Sequence, residues 1–254
     1  MARLLPVLLA AAALAGCGGG NHVSQRSVRF DGIAGYLVDP GTEGQHAGVV
    51  IVHGAGGDRS ELLGQAIALA KKGVVALTIT APSSAHPAPR ATSLEGLLAQ
   101  AQRTQEGDSA AVRRAAAFLV SRADVDAERL GYLGWSAGAK TGTFVVDRFR
   151  ALALLSAGAA TVDQFVAAAP AESRAQVRRA LTPIDPIRAL AGARPGSVLL
   201  EDGRQDEIVP HSALLNVVRA APRGTLVRWY DTRHALSPRA YADARAWLLR
   251  KLRA

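Results

Sequence analysis

Gly134-Trp135-Ser136-Ala137-Gly138 lies between a short apolar run, Arg129-Leu130-Gly131-Tyr132-Leu133, and a helix-compatible segment, Ala137 to Phe149. A strand, then Gly-x-Ser-x-Gly, then a helix is the arrangement of a nucleophile elbow, in which a sharp turn presents the serine at its tip. The flanking glycines leave room for so tight a turn. A serine hydroxyl is unreactive at neutral pH, so Ser136 as nucleophile requires a base within hydrogen-bond reach. The alternative role for this residue is the N-cap of the helix that follows it.

Three further stretches stand where such a serine needs them. Gly48-Val49-Val50-Ile51-Val52 reads as a buried strand running into His53-Gly54-Ala55-Gly56-Gly57. Ser197-Val198-Leu199-Leu200 reads as another, followed by Glu201-Asp202-Gly203-Arg204-Gln205-Asp206-Glu207-Ile208-Val209-Pro210. Thr225 to Tyr230 is a third, leading to Asp231-Thr232-Arg233-His234. Glycine loop, serine, acid and histidine thus follow in the chain order Ser, Asp, His.

With these motifs the chain resembles the α/β-hydrolase superfamily, and within it the dienelactone-hydrolase-like and prolyl-oligopeptidase-like branch, over roughly residues 26 to 252. Gly203 to Pro210, read as Gly-x-x-Asp-x-x-Val-Pro, is the most branch-like feature. Serine replaces the cysteine nucleophile of dienelactone hydrolase proper, so that enzyme's substrate does not carry over. The resemblance implies His234 as base and Asp206 as the acid that orients it. It assigns the oxyanion donors to the backbone N–H groups of Ala137 and Ala55, with Gly56 a near alternative. Asp202 and Glu207 are the competing acids, and Asp202 reads as a turn residue just past its strand. Among competing histidines, His53 reads as support for the glycine loop, and His86 and His211 as surface residues. Lys140 follows Ser136 by four residues rather than three, which disfavours it as a base. Glycine spacing in 54–57 fits neither a P-loop nor a dinucleotide fingerprint, and there are no clustered metal ligands, so neither cofactor nor metal is expected.

Alternating strand and helix candidates predict an α/β fold: a mostly parallel sheet with helices on both faces. Val28-Arg29-Phe30 and Ile33 to Val38 around Asp31-Gly32 predict an antiparallel hairpin at its leading edge. Expected strands are Val49 to Val52, Val74 to Ile79, Leu130 to Leu133, Ala151 to Leu155, Val198 to Leu200 and Leu226 to Tyr230. Expected helices are Ser60 to Lys71, Asp108 to Ser121, Ala137 to Phe149, His211 to Ala220 and Pro238 to Leu252. Two long connections stand out, Thr80 to Gln105 and Ala157 to Arg194, and long connections tend to be binding loops or lids. In the second, Phe165, Val166, Val177 and Leu181 recur at helical spacing and are expected to turn inward, as a lid over the site or as a seal on the core.

Residues 1–16 read as a signal peptide: Arg3, then an apolar run Leu4 to Leu14 too short to span a bilayer. Leu14-Ala15-Gly16-Cys17 resembles a bacterial lipobox, which implies lipidation of Cys17, the single cysteine, and anchoring to a membrane of the cell envelope on the exported side. Residues 17–25 are the expected tether, and residues 26–254 the domain. A net charge of +9 raises the question of nucleic acid, but arginine is scattered over helix faces without the clustering and interleaved aromatics of a binding strip. No nucleic-acid partner is expected.

The resulting expectation is a lipid-anchored serine hydrolase acting on a small-molecule ester or related acyl substrate. A prolyl-oligopeptidase-type peptidase shares the motifs, but that branch usually carries a large additional N-terminal domain that this sequence lacks. A non-catalytic envelope binding protein on the same fold is the reading from another class; an intact set of triad residues counts against it.

Overall fold

The computed structural model describes residues 22–254. Residues 1–16, expected to be a signal peptide, Cys17 and the expected tether as far as residue 21 lie outside the described residues. Among the described residues eight strands form one sheet: β1 (Ser24–Phe30), β2 (Ile33–Asp39), β3 (His46–Val52), β4 (Val74–Ile79), β5 (Val125–Trp135), β6 (Ala151–Leu155), β7 (Val198–Gly203) and β8 (Leu226–Tyr230). Their order across the sheet is β1-β2-β4-β3-β5-β6-β7-β8. β1 and β2 pair antiparallel, as do β2 and β4, and every other pair is parallel. Asp31 and Gly32 both take positive φ (45° and 79°), which matches the strand twist and closes the hairpin in two residues. β1 begins at Ser24, so Ser24 and Gln25, expected to end the tether, instead pair with Asp39 and Val38.

Nine α-helices connect or cover these strands among the described residues: α1 (Leu63–Ala70), α2 (Pro82–Ala85), α3 (Leu94–Val120), α4 (Ala137–Gly142), α5 (Val162–Ala168), α6 (Arg174–Leu181), α7 (Pro186–Ala191), α8 (His211–Ala220) and α9 (Pro238–Leu252). The central strands β3, β4 and β6 read as almost continuous apolar runs because both of their faces are buried. Alternate residues go to opposite sides. Val50, Val52, Leu152 and Leu154 pack with Ala111, Ala115 and Leu119 of α3 and Val217 of α8. Val49, Ile51, Ala153 and Leu155 pack with Ala66 and Leu69 of α1 and Ala244, Trp247 and Leu248 of α9.

β3, β5 and β7 run beyond their expected bounds, α1 is shorter than expected, and two further helices differ more. α3 starts at Leu94, fourteen residues before the expected Asp108, with Ser93 capping it by accepting the Gly96 N–H at 3.1 Å. The added half of α3 leaves the sheet, and Leu98 packs instead with Val162, Val166 and Val177 in a separate cluster beneath α5 and α6. α4 stops at Gly142 and tightens to a 3₁₀ turn over Thr143–Val145, rather than running to Phe149. Phe149 is fully buried against Tyr132, with ring centroids 5.3 Å apart. In the 157–194 segment, Val166 and Val177 turn inward as expected, but Phe165 is half exposed at 50% because it faces a cavity rather than the core.

The parallel strands β3, β5, β6 and β7 end on one rim of the sheet, where Val52, Trp135, Leu155 and Gly203 lead into the loops that carry the candidate residues. That rim is where ligands bind in open α/β sheets.

Candidate active site

Ser136 joins β5 directly to α4 with φ 54° and ψ −114°, a conformation strained for any residue with a Cβ. Its surroundings hold it there. The Ser136 N–H donates to the Leu155 carbonyl at 2.8 Å, and Gly138 N–H donates to the His53 carbonyl at 3.1 Å. A Cβ at Gly138 would collide with the Val52 carbonyl and come within 2.7 Å of the His53 carbonyl; one at Gly134 would stand 2.6 Å from the Gly138 backbone. Both glycines of the motif are therefore required by backbone contact. Tyr132, fully buried, donates its hydroxyl to the Gly138 carbonyl at 2.6 Å and ties the turn to the core. The Ser136 hydroxyl does not cap α4. It points to His234 Nε2, 2.9 Å away.

His234 lies in the loop after β8, and its Nδ1 is 2.8 Å from Asp206 Oδ2. A carboxylate only accepts, so Nδ1 donates and Nε2 is left to accept the serine proton. The Asp206 side chain is 1% exposed. Its other oxygen accepts the N–H groups of Ile208 at 2.9 Å and Val209 at 2.7 Å, which satisfies the buried charge and fixes its direction. The structure thus brings Ser136, His234 and Asp206 together from loops 98 and 28 residues apart in the chain.

The loops are themselves lashed together. Arg204 N–H donates to the Tyr230 carbonyl at 2.8 Å and Gln205 N–H to the Thr232 carbonyl at 3.0 Å. Glu207 accepts the His234 N–H at 3.1 Å, and that bond holds the Glu207 carboxyl below its ordinary pKa. The His234 carbonyl accepts from the Trp135 indole at 3.2 Å and the Ser156 hydroxyl at 3.2 Å. Glu207 therefore secures the histidine loop rather than orienting the imidazole. Trp135 makes a specific polar contact as well as packing. Ser156, at φ 52° just past β6, belongs to no motif and was not singled out by sequence. Its position mirrors that of Ser136 one strand over, the only available signal.

The competing residues have other duties. His53 is buried, and both ring nitrogens are engaged: Nδ1 donates to the Gly54 carbonyl at 2.6 Å and Nε2 accepts the Ala81 N–H at 3.0 Å. It supports the glycine loop, as expected. His211 packs against Trp229, and Asp231 accepts from Gln205 at 2.6 Å. Asp202 is not a turn residue: β7 continues to Gly203, and Asp202 is 2% exposed within it. The strand extends because its last residues are covered by the histidine loop, whose backbone passes against Gly203.

Ala55 and Ala137 line a cavity of about 270 Å³ together with Gly54, Gly56 and Gly138. Ala137 is the first residue of α4, so its N–H has no partner within the helix. An adjoining cavity of about 560 Å³ is walled by Leu97, Val162, Phe165, Leu181 and Pro186. The arrangement has what acyl transfer needs: a hydroxyl, a base, a buried orienting acid, and backbone donors beside a space for substrate.

The sequence matches no family model, and it matches no curated protein. Solved structures share its fold. An acetyl xylan esterase from Paenibacillus sp. R4 superposes with a TM-score of 0.72 at 19% identity, over 90% of this chain and 88% of that one. Acetyl xylan esterase 1 from a Thermoanaerobacterium species gives 0.70 at 15% identity, over 91% and 88%. A Klebsiella pneumoniae protein assigned as a dienelactone hydrolase gives 0.66 at 15% identity, over 91% and 98%. The chain has the α/β-hydrolase fold.

Two outcomes test the strain and burial in this site. Ser136→Gly is expected to be more stable than Ser136→Ala by about 1–3 kcal/mol in urea unfolding, since only glycine adopts the elbow conformation freely; equal stabilities would mean the turn is unstrained. Burial also raises the carboxyls of Glu201 and Asp202 to about 7, from ordinary values of 4.5 and 3.8. The folded chain therefore binds more protons than the unfolded chain between those limits. Stability is greatest on the acid side of this window and falls as pH rises toward 7. Urea midpoints measured across it should decline in the parent protein and decline less in Glu201→Gln; an equal decline would relieve Glu201 of the effect.

Proposed function

We propose that the protein is a serine hydrolase that cleaves an ester or related acyl bond through Ser136, His234 and Asp206. The observation that carries this reading is the unbroken hydrogen-bond chain from a buried carboxylate, through one imidazole, to a hydroxyl held on a strained turn. The Ser136 oxygen adds to the acyl carbon as His234 Nε2 takes its proton. The developing oxyanion faces the N–H groups of Ala137 and Ala55. The imidazolium, stabilised by Asp206, then gives the proton to the leaving oxygen and an acyl-enzyme remains. Water, deprotonated by His234, repeats the addition and releases the acid and the free serine. The esterase neighbours of the same fold favour an ester of modest size, and α5 and α6 wall the larger cavity in which its acyl group would lie.

Separately, we propose that the domain is held at a membrane surface of the cell envelope. The basis is the lipobox-like Leu14-Ala15-Gly16-Cys17, with lipidated Cys17 as the first residue of the mature chain.

A fluorophosphonate probe is expected to label the parent protein and not Ser136→Ala, with turnover of a chromogenic ester falling by about 10³-fold or more. Asp206→Asn should cost up to about 10⁴-fold in kcat, through the wrong histidine tautomer, while Asp202→Asn costs far less. Labelling that survives Ser136→Ala would place the nucleophile elsewhere. Separately, the mass of the mature N-terminus should show acyl chains on Cys17, abolished in Cys17→Ser. An unmodified start downstream of Cys17 would make the protein an ordinary secreted one.

A further inference from the structure

The smaller cavity, which the oxyanion loop lines, and the larger one meet at Lys140, which lines both, one helical turn beyond Ser136. Among the described residues, its ammonium has no hydrogen bond and no carboxylate within 4.0 Å. Arg90, which also lines the larger cavity, is likewise without an ion-pair partner among the described residues. The carboxylates that share these cavities are already engaged. Asp108 accepts from Ser83 through both oxygens, at 3.0 Å from the N–H and 2.7 Å from the hydroxyl, and Asp185 caps α7 through the Ile187 N–H at 2.9 Å. The remaining lining of the larger cavity is mostly apolar. Asp108 acts on the ammonium only from beyond ion-pair distance, and a long cation at the mouth of an apolar cavity without an ion-pair partner is a recognition element for a ligand that brings its own negative charge.

We propose that Lys140 binds an anionic group, a carboxylate above all, at the distal end of the substrate's acyl chain. The preferred substrates are then monoesters of dicarboxylic acids rather than esters of simple fatty acids. This rests on the hydrolase reading, with Ser136 as nucleophile. The acyl side follows from the position of the oxyanion donors. The proposed donors Ala55 and Ala137, which would hold the acyl carbonyl, line the smaller cavity, and that cavity meets the larger one at Lys140, so the acyl chain is assigned to them. Solvent reaches Lys140, but the cavity walls displace enough of its water to hold the ammonium below the ordinary lysine pKa, with the charge of Asp108 opposing. An arriving carboxylate restores what that displacement removes.

The test compares kcat/KM for the p-nitrophenyl monoester of glutaric acid with that for p-nitrophenyl hexanoate, a neutral ester of similar length. The parent protein is expected to prefer the charged ester by about tenfold or more, the usual worth of a hydrogen bond to a charged group. Lys140→Met should bring the ratio close to one, Lys140→Glu should invert it, and Lys140→Arg should keep most of it. A parent ratio at or below one, or a ratio unchanged by Lys140→Met while the fluorophosphonate still labels Ser136, overturns the inference and leaves the hydrolase reading intact. A preference seen only when the carboxylate is on the leaving group, as in 4-carboxyphenyl acetate against phenyl acetate, overturns the acyl-side assignment. If neither labelling nor turnover occurs, the hydrolase reading fails. Free glutarate then decides the anion site: a rise in Tm that Lys140→Met abolishes keeps it, and no rise removes it.

Discussion

The contact on which the site depends is the approach of the α4 N-terminus to the end of β3. Gly138 has its Cα against the Val52 and His53 carbonyls, and Gly134 has its own against Gly138. No side chain fits at either point, so the chain between them turns within one residue and Ser136 takes φ 54°. That strain is held by bonds on all sides: to β6 through Leu155, to β3 through His53, and to the core through Tyr132. Such strain persists only where the surrounding structure over-determines it. The reward is geometric, since a serine on a gradual turn would carry its hydroxyl into the sheet or onto the helix as a cap.

A second constraint is the burial of the acid. The Asp206 side chain is almost fully covered, which would cost heavily without compensation. Two backbone N–H groups on one oxygen and the imidazole on the other satisfy it. Because both donors and acceptor come from the loop after β7 and the loop after β8, the pairing of these edge strands is also what aligns acid with base. Glu201 and Asp202 lie in the same buried strand end without such full compensation: Glu201 Oε2 and Asp202 Oδ1 have no partner. Their raised pKa values follow from that incomplete compensation of burial.

The 157–194 segment shows a division of labour within one connection. Val166 and Val177 bury themselves with Leu98 of α3 and give the segment a small core of its own, apart from the two main clusters. That leaves Phe165 and Leu181 to face the larger cavity. Helices built this way keep their shape while presenting apolar side chains to whatever occupies the space, and Lys140 supplies the one charge where the two cavities join.

The sequence by itself determined several strands: Val74–Ile79 and Ala151–Leu155, buried throughout and almost wholly apolar, and the half-buried edge strand Leu226–Tyr230 are bounded as expected. It also determined the serine turn, the hairpin at Asp31-Gly32, and the order of the candidate residues. These are local properties of spacing, glycine placement and short motifs. Only the tertiary structure decided what depends on contact between distant segments. The early start of α3 at Leu94 follows from packing against α5 and α6, and the extension of β7 through Asp202 from cover by the histidine loop. The duties of Glu207, Ser156 and the Trp135 indole, each holding the backbone of His234, likewise have no local signature. A hydrogen bond between residues far apart in the chain is set by where the sheet brings their loops, and neither composition nor periodicity carries that information.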